Sequence, residues 1–220
     1  MLTYGTLNQA DKSRAWRALN PTPGTGIAGP AVTAFADTSA IYTLFNNAQS
    51  PPGKILYFDY LKLICTTAPG AGCTSFQVAL ALDTAARGMG AANLNTQVAN
   101  SDTDTIGSVA PPINAGTTVA INRFGALTPT AATANRAFVG RTSFKTQATP
   151  CITVGDEFII IANGEEQGFG PLSGTTAARF VMPTGIVSIG PGGLFLVHAW
   201  FPGAASGPSF EYEAQYWELS

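Results

Sequence analysis

Charge is scarce in this chain. Lys and Arg number 11 and Asp and Glu 13 in 220 residues, 11% of the total, against about a quarter in an average soluble domain. The cations are scattered, so no basic cluster is present to neutralise phosphates, and direct nucleic-acid binding is disfavoured. Long hydrophobic runs are missing as well. The longest, residues 158–162, falls far short of the ~20 residues that cross a bilayer. Met1-Leu2-Thr3-Tyr4-Gly5, followed by Lys12, Arg14 and Arg17, lacks the apolar centre of a secretory signal. These absences predict synthesis in a cytoplasm and no membrane attachment.

Groups that carry chemistry are equally sparse. His198 is the sole histidine, which removes the multi-histidine metal set of cupin-type enzymes. A hydrolytic triad needs an imidazole with its own carboxylate and nucleophile, and no Gly-x-Ser-x-Gly elbow occurs. Three cysteines, Cys65, Cys73 and Cys151, include no Cys-x-x-Cys pair, which argues against a zinc site. The reading is a non-enzyme without cofactor or resident metal. A surface so poor in charge lacks the groups that hold monomers apart, which points to a chain largely covered by partners.

What the chain does have is 24 glycines, 15 prolines, 22 aromatics and many short alternating apolar runs. Phe210-Glu-Tyr-Glu-Ala-Gln-Tyr216 sets aromatics on one face and polar groups on the other, the two-residue period of a half-buried strand. Strands are predicted at 39–45, 55–65, 75–83, 117–124, 137–142, 157–163, 194–201 and 209–219, with weaker ones at 103–109, 179–182 and 186–189. The fold class is therefore all-β, a single jelly-roll or β-sandwich of about eight antiparallel strands spanning residues 37–220. Residues 1–36 read as an extended N-terminal arm with a short helix over 9–19, ended by Asn20-Pro21. Residues 55–65 are apolar on both faces apart from Asp59 and Lys62, so the outward face is expected to lie under an arm or a neighbouring subunit. The stretch 84–116 is too long for an ordinary loop and reads as a contact-making excursion.

Other features carry less. Gly24-Thr-Gly26-Ile-Ala-Gly29 matches the dinucleotide-binding spacing but sits among prolines without the strand and helix that a pyrophosphate site requires, so it reads as linker. His198, within an alternating strand, reads as a hydrogen-bonded structural histidine. Asp102, Asp104, Glu165 and Glu166 read as solvated loop carboxylates, with calcium as the alternative. A hairpin centred near Pro69 sets Cys65 opposite Cys73, where a cross-strand disulfide is conceivable; in a reducing cytoplasm two buried thiols are favoured. Tyr212, Tyr216 and Trp217 are candidates for a stacking platform or interface, against sandwich core as the plainer reading.

The Ala/Thr/Gly-rich composition, proline-rich arm and strand pattern resemble virion proteins built on a jelly roll. Ile189-Gly-Pro-Gly-Gly-Leu-Phe-Leu-Val-His-Ala-Trp-Phe-Pro-Gly203, followed by Phe210-Glu-Tyr-Glu-Ala-Gln-Tyr-Trp-Glu218, looks like the closing strand pair of the capsid cement (decoration) proteins of tailed bacteriophages. The resemblance covers about residues 37–220. It implies a structural homotrimer or homodimer, made in the host cytoplasm and seated on the outer capsid surface of the virion. There it would bind the major capsid protein and clamp neighbouring subunits. In that setting Tyr4, Arg14, Trp16 and Arg17 are the expected shell contacts, the aromatics by burial and the arginines by pairing with carboxylates. The alternative is a glycan- or receptor-binding jelly-roll spike or lectin module of a virion.

Overall fold

Alternating apolar positions become strands throughout the computed structural model, which describes residues 15–20, 22–48, 53–84, 101–102, 120–130, 136–144, 150–162, 178–183 and 186–219. In chain order these are β1 (Ala15–Leu19), β2 (Ile27–Ala28), β3 (Ala40–Asn46), β4 (Ile55–Thr67), β5 (Phe76–Asp83), β6 (Ser101–Asp102), β7 (Ala120–Leu127), β8 (Ala137–Phe144), β9 (Glu157–Ile161), β10 (Ala178–Pro183), β11 (Val187–Ile189), β12 (Leu194–Trp200) and β13 (Ser209–Leu219). No helix occurs among the described residues. One sheet runs β10-β9-β4-β13-β1-β6, with β11 on β4 and β2 on β13; the other runs β7-β3-β12-β5-β8. All pairings are antiparallel except that of β10 with β9.

The connectivity is that of a jelly roll. Eight strands pair as a nested hairpin, β1 with β13, β3 with β12, β4 with β9 and β5 with β8. Rolling that hairpin up brings β13 beside β4 and β12 beside β5. All eight strands predicted as strong are present, as are β10 and β11 from the weaker set; the stretch 103–109 lies outside the described residues. The resemblance treated residues 189–203 and 210–218 as a strand pair, but β12 and β13 belong to opposite sheets.

Two readings need correction at the N-terminal side. Ala15–Leu19 is a strand, not the end of a helix over 9–19. Trp16 and Ala18 face the core while Arg17 and Leu19 face outward, and a five-residue ladder to β13 outweighs weak helix propensity. The sandwich therefore takes in β1 and β2, part of the stretch assigned to the arm. Between them, Gly24-x-Gly26-x-x-Gly29 forms the turn into β2, which pairs antiparallel with β13, and the Gly24 N–H donates to the Glu211 carboxylate. No phosphate cradle is built.

The core is aromatic. Phe76 lies 5.0 Å from both Phe158 and Phe201, 5.3 Å from Phe144 and 6.0 Å from Phe210, ring centre to ring centre. Tyr42 stacks on Phe124, which stacks on Tyr212. Phe210, Tyr212 and Tyr216 are thus sandwich core. In β12, Phe195, Val197 and Ala199, with Phe201 just after the strand, enter this core, while Leu194 and Leu196 join Ala40, Ala81 and Leu127 in a second buried apolar cluster. Both faces of this strand are covered. The outward side of β4 carries Tyr57, Tyr60, Lys62 and Ile64, each at least partly covered within the chain.

At one end of the sandwich the connections β4–β5 and β12–β13 meet backbone to backbone. Gly72 (φ +102) and Gly203 (φ +78) both occupy the left-handed region, and a Cβ on Gly203 would sit 2.3 Å from the Gly72 carbonyl oxygen. Gly203→Ala is expected to cost about 2 kcal/mol or more, read as a lower urea midpoint with an unchanged slope.

Candidate functional site

β8 is an edge strand. It pairs with β5 alone among the described strands, and most of its residues, including Phe138, Val139 and Arg141, are exposed. Edge strands in natural sheets are usually blunted or covered; this one presents an aromatic side chain 52% exposed. A register shift between Leu80 and Ala81, opposite Phe138–Gly140, marks a bulge of the kind that re-aims edge side chains.

A second element completes the face. Residues 29–38 cross from one sheet to the other, held by the Gly29 N–H on the Pro208 carbonyl (2.8 Å) and the Phe201 N–H on the Val32 carbonyl (2.8 Å). This crossing sets Phe35 over β12, edge-on to His198 (5.3 Å), Trp200 (5.5 Å) and Phe138 (5.7 Å). His198 lies beneath, fully buried, with Nδ1 2.7 Å from the Ser39 carbonyl. A carbonyl only accepts, so Nδ1 carries the proton and the ring fastens the crossing segment to the sheet. The histidine is structural, as its strand position indicates.

Phe35, Ala79, Phe138, Val139, Arg141 and Trp200 line an open concavity of ≈ 570 Å³, with Trp200 as its floor. The Arg136 guanidinium stands 4.4 Å over the Phe138 ring and pairs with Asp37. Arg141 lies 5.8 Å over Trp200. Each such stacking contributes about 0.5–1 kcal/mol at an exposed site and holds the planes in place. Aromatic side chains beside arginines are the composition of interface anchors. Such a face can bind; it holds no nucleophile with a base and no acid pair.

The residues expected to contact a shell lie elsewhere or outside the description. Trp16 is 1% exposed and packs in the chain's own core, so it is no external anchor; nothing in its local sequence distinguishes an anchor from a core residue. Arg17, one-third exposed, sits on the outward side of the β1 sheet, donating to Gln215 Oε1 (3.2 Å) and lying 3.5 Å from Glu213 Oε1. Tyr4 and Arg14 fall outside the described residues. Around Arg17 a polar network continues. Gln215 donates to the buried Asp59 carboxylate (3.1 Å), and Tyr60 donates to Glu213 (2.5 Å). Burial, reinforced by this bond to Glu213, raises the Tyr60 phenol well above its usual range. Exposed ion pairs of this kind contribute ~0–1 kcal/mol each, so the network orders β1 more than it stabilises it. Trp217 stacks on Tyr57 at 4.0 Å on this same side.

Asp104, Glu165 and Glu166 lie outside the described residues; Asp102 belongs to β6, paired with Trp16. Among the described residues, no three His, Cys, Asp or Glu side chains converge as metal ligands, and no helix is long and apolar enough to cross a membrane. No protein family, curated protein or solved structure matches the chain.

Proposed function

We propose that this chain is a structural virion protein, a cement or decoration protein that binds the outside of a phage capsid and stabilises contacts between major capsid subunits. One observation carries the reading: a surface poor in charge concentrates exposed aromatics and two arginines on the Phe35–Phe138–Trp200 face, on a jelly-roll frame. Packaged DNA pushes capsid subunits apart, and a ligand that binds only the closed seam stabilises it by mass action. The aromatics supply burial there and Arg141 supplies a bidentate donor for a carboxylate. The contact set proposed from the structure is thus Phe35, Phe138, Val139 and Arg141, with Trp16 withdrawn to the core and Arg17, one-third exposed, kept as a further candidate.

The second reading, a glycan- or receptor-binding spike of the virion, draws on the same concavity, whose size lies in the range of small-ligand sites. Copy number separates the two. Quantitative mass spectrometry of purified particles is expected to find hundreds of copies per head, as repeated capsid seams require. A few tens at most would mark a spike, and none would remove the protein from the virion.

A further inference from the structure

The sequence offers Cys65 and Cys73 as neighbours across a hairpin, but the fold separates them. β4 belongs to one sheet and β5 to the other, so the connection carrying Cys73 crosses the sandwich rather than folding back on β4. The backbone of Cys65 is tied instead to residues 155 and 156, through its N–H on the Asp156 carbonyl (2.8 Å) and its carbonyl on the Gly155 N–H (2.8 Å). Its thiol donates to the Thr67 carbonyl at 3.3 Å.

Cys73 has a different neighbour, remote in sequence. The Cys151 N–H donates to the Cys73 carbonyl at 2.9 Å, and the Cys73 thiol, which donates to the Ser75 carbonyl at 3.5 Å, lies beside the Cys151 thiol. A direct backbone bond keeps the two residues adjacent, the proximity that a disulfide's Cα span of about 4.4–6.8 Å requires. Both residues are buried, at 0% and 4% exposure. We infer that Cys73 and Cys151 are the pair that joins when the chain passes from a reducing cytoplasm to an oxidising medium, while Cys65 stays a thiol.

The chemistry is thiol–disulfide exchange with a small disulfide such as oxidised glutathione. One cysteine thiolate attacks a glutathione sulfur, breaking that S–S bond and releasing one glutathione thiolate. The second cysteine thiolate then displaces the other glutathione. Two cysteine S–H bonds and one S–S bond are lost; one S–S bond and two glutathione S–H bonds form, the protons passing to the leaving thiolates. Burial raises the Cys151 thiol well above its usual range, so the reaction is slow at neutral pH and waits on local opening. The bond ties the β4–β5 connection to the segment entering β9 and closes a long loop in the unfolded chain, where a cross-link restricts most.

The test uses the full chain, reduced, then incubated with oxidised glutathione, alkylated in denaturant, digested and weighed. The expected result is one linked peptide pair containing Cys73 and Cys151, Cys65 alkylated, and a thermal midpoint raised by roughly 5–10 °C. Cys65→Ser should form the same link, and Cys73→Ser and Cys151→Ser should not. A link through Cys65, three alkylated thiols, or glutathione adducts alone would each overturn the assignment.

Discussion

Trp16→Ala is expected to lower the unfolding free energy by about 3–5 kcal/mol, the usual cost of emptying a buried aromatic site. The size of the effect follows from position. Trp16 is 1% exposed, in a strand where, among the side chains described, Ala18 alone is also buried, so it supplies most of their apolar surface holding β1 to the sandwich. With it gone, the ladder to β13 remains but has little packing behind it, and β6, paired with Trp16 and Arg17, loses its base. The indole Nε1 has no hydrogen-bond partner among the described residues. Trp16→Phe, which removes that buried donor and keeps a ring, should therefore cost much less than the alanine change. Urea unfolding of the three proteins measures the order. Equal stability of wild type and Trp16→Ala would return β1 to a loose arm and restore the outward role first read for this residue. The same geometry sets how the N-terminal residues should be probed: deletion of residues 1–14 leaves β1 and β2 paired, whereas deletion to residue 30 removes two strands from the sheet.

The second large effect concerns binding. On the docking role proposed above, Phe138→Asp should weaken attachment to capsids lacking the protein by about 30-fold or more, the loss of one interface anchor of about 2 kcal/mol, while leaving the fold nearly intact. At 52% exposure Phe138 has little burial to lose on substitution. Its internal contacts are an edge contact with Phe35 and the guanidinium of Arg136, together worth about 1 kcal/mol. An aspartate on this face would also pair with Arg136 or Arg141 and so withdraw a donor from any partner carboxylate. Val154→Asp serves as the control, since Val154 is 66% exposed and lies outside the concavity. Sedimentation of particles mixed with each variant reads the result. Retained binding by Phe138→Asp at wild-type stability would exclude this face as the docking surface.

Strand positions were legible because each half-buried strand repeats its apolar residues every second position. β12 shows how far that goes: the split of Leu194 and Leu196 from Phe195, Val197, Ala199 and Phe201 is visible in the sequence and holds in the sandwich. β1 was not legible in this way, because Ala-Trp-Arg-Ala-Leu is short and its residues suit a helix equally well; only the ladder to β13 decides. Sheet membership was also hidden. Cys65 and Cys73 look like hairpin partners by spacing, yet a short connection can cross between layers as readily as it can fold back within one. The candidate site was the least readable part. Phe35 lies in a proline- and glycine-rich stretch without periodicity, and its place beside Phe138 and Trp200 depends on the path of residues 29–38 over the sheet. The one local hint was residues 137–141, where consecutive apolar residues break the alternation of a strand with one buried face.

The position of β13 between β4 and β1 bears on how the molecule is made. On the ribosome, β4 emerges about 140 residues before the strand that fills its longest ladder. At ~5–20 residues per second, that leaves a delay of roughly 7–30 s. Throughout it one edge of a 13-residue strand waits without its mate, and nascent chains side by side can pair with each other instead. Recombinant yield should therefore respond to chaperone supply and growth temperature more steeply than the stability of the finished fold would indicate.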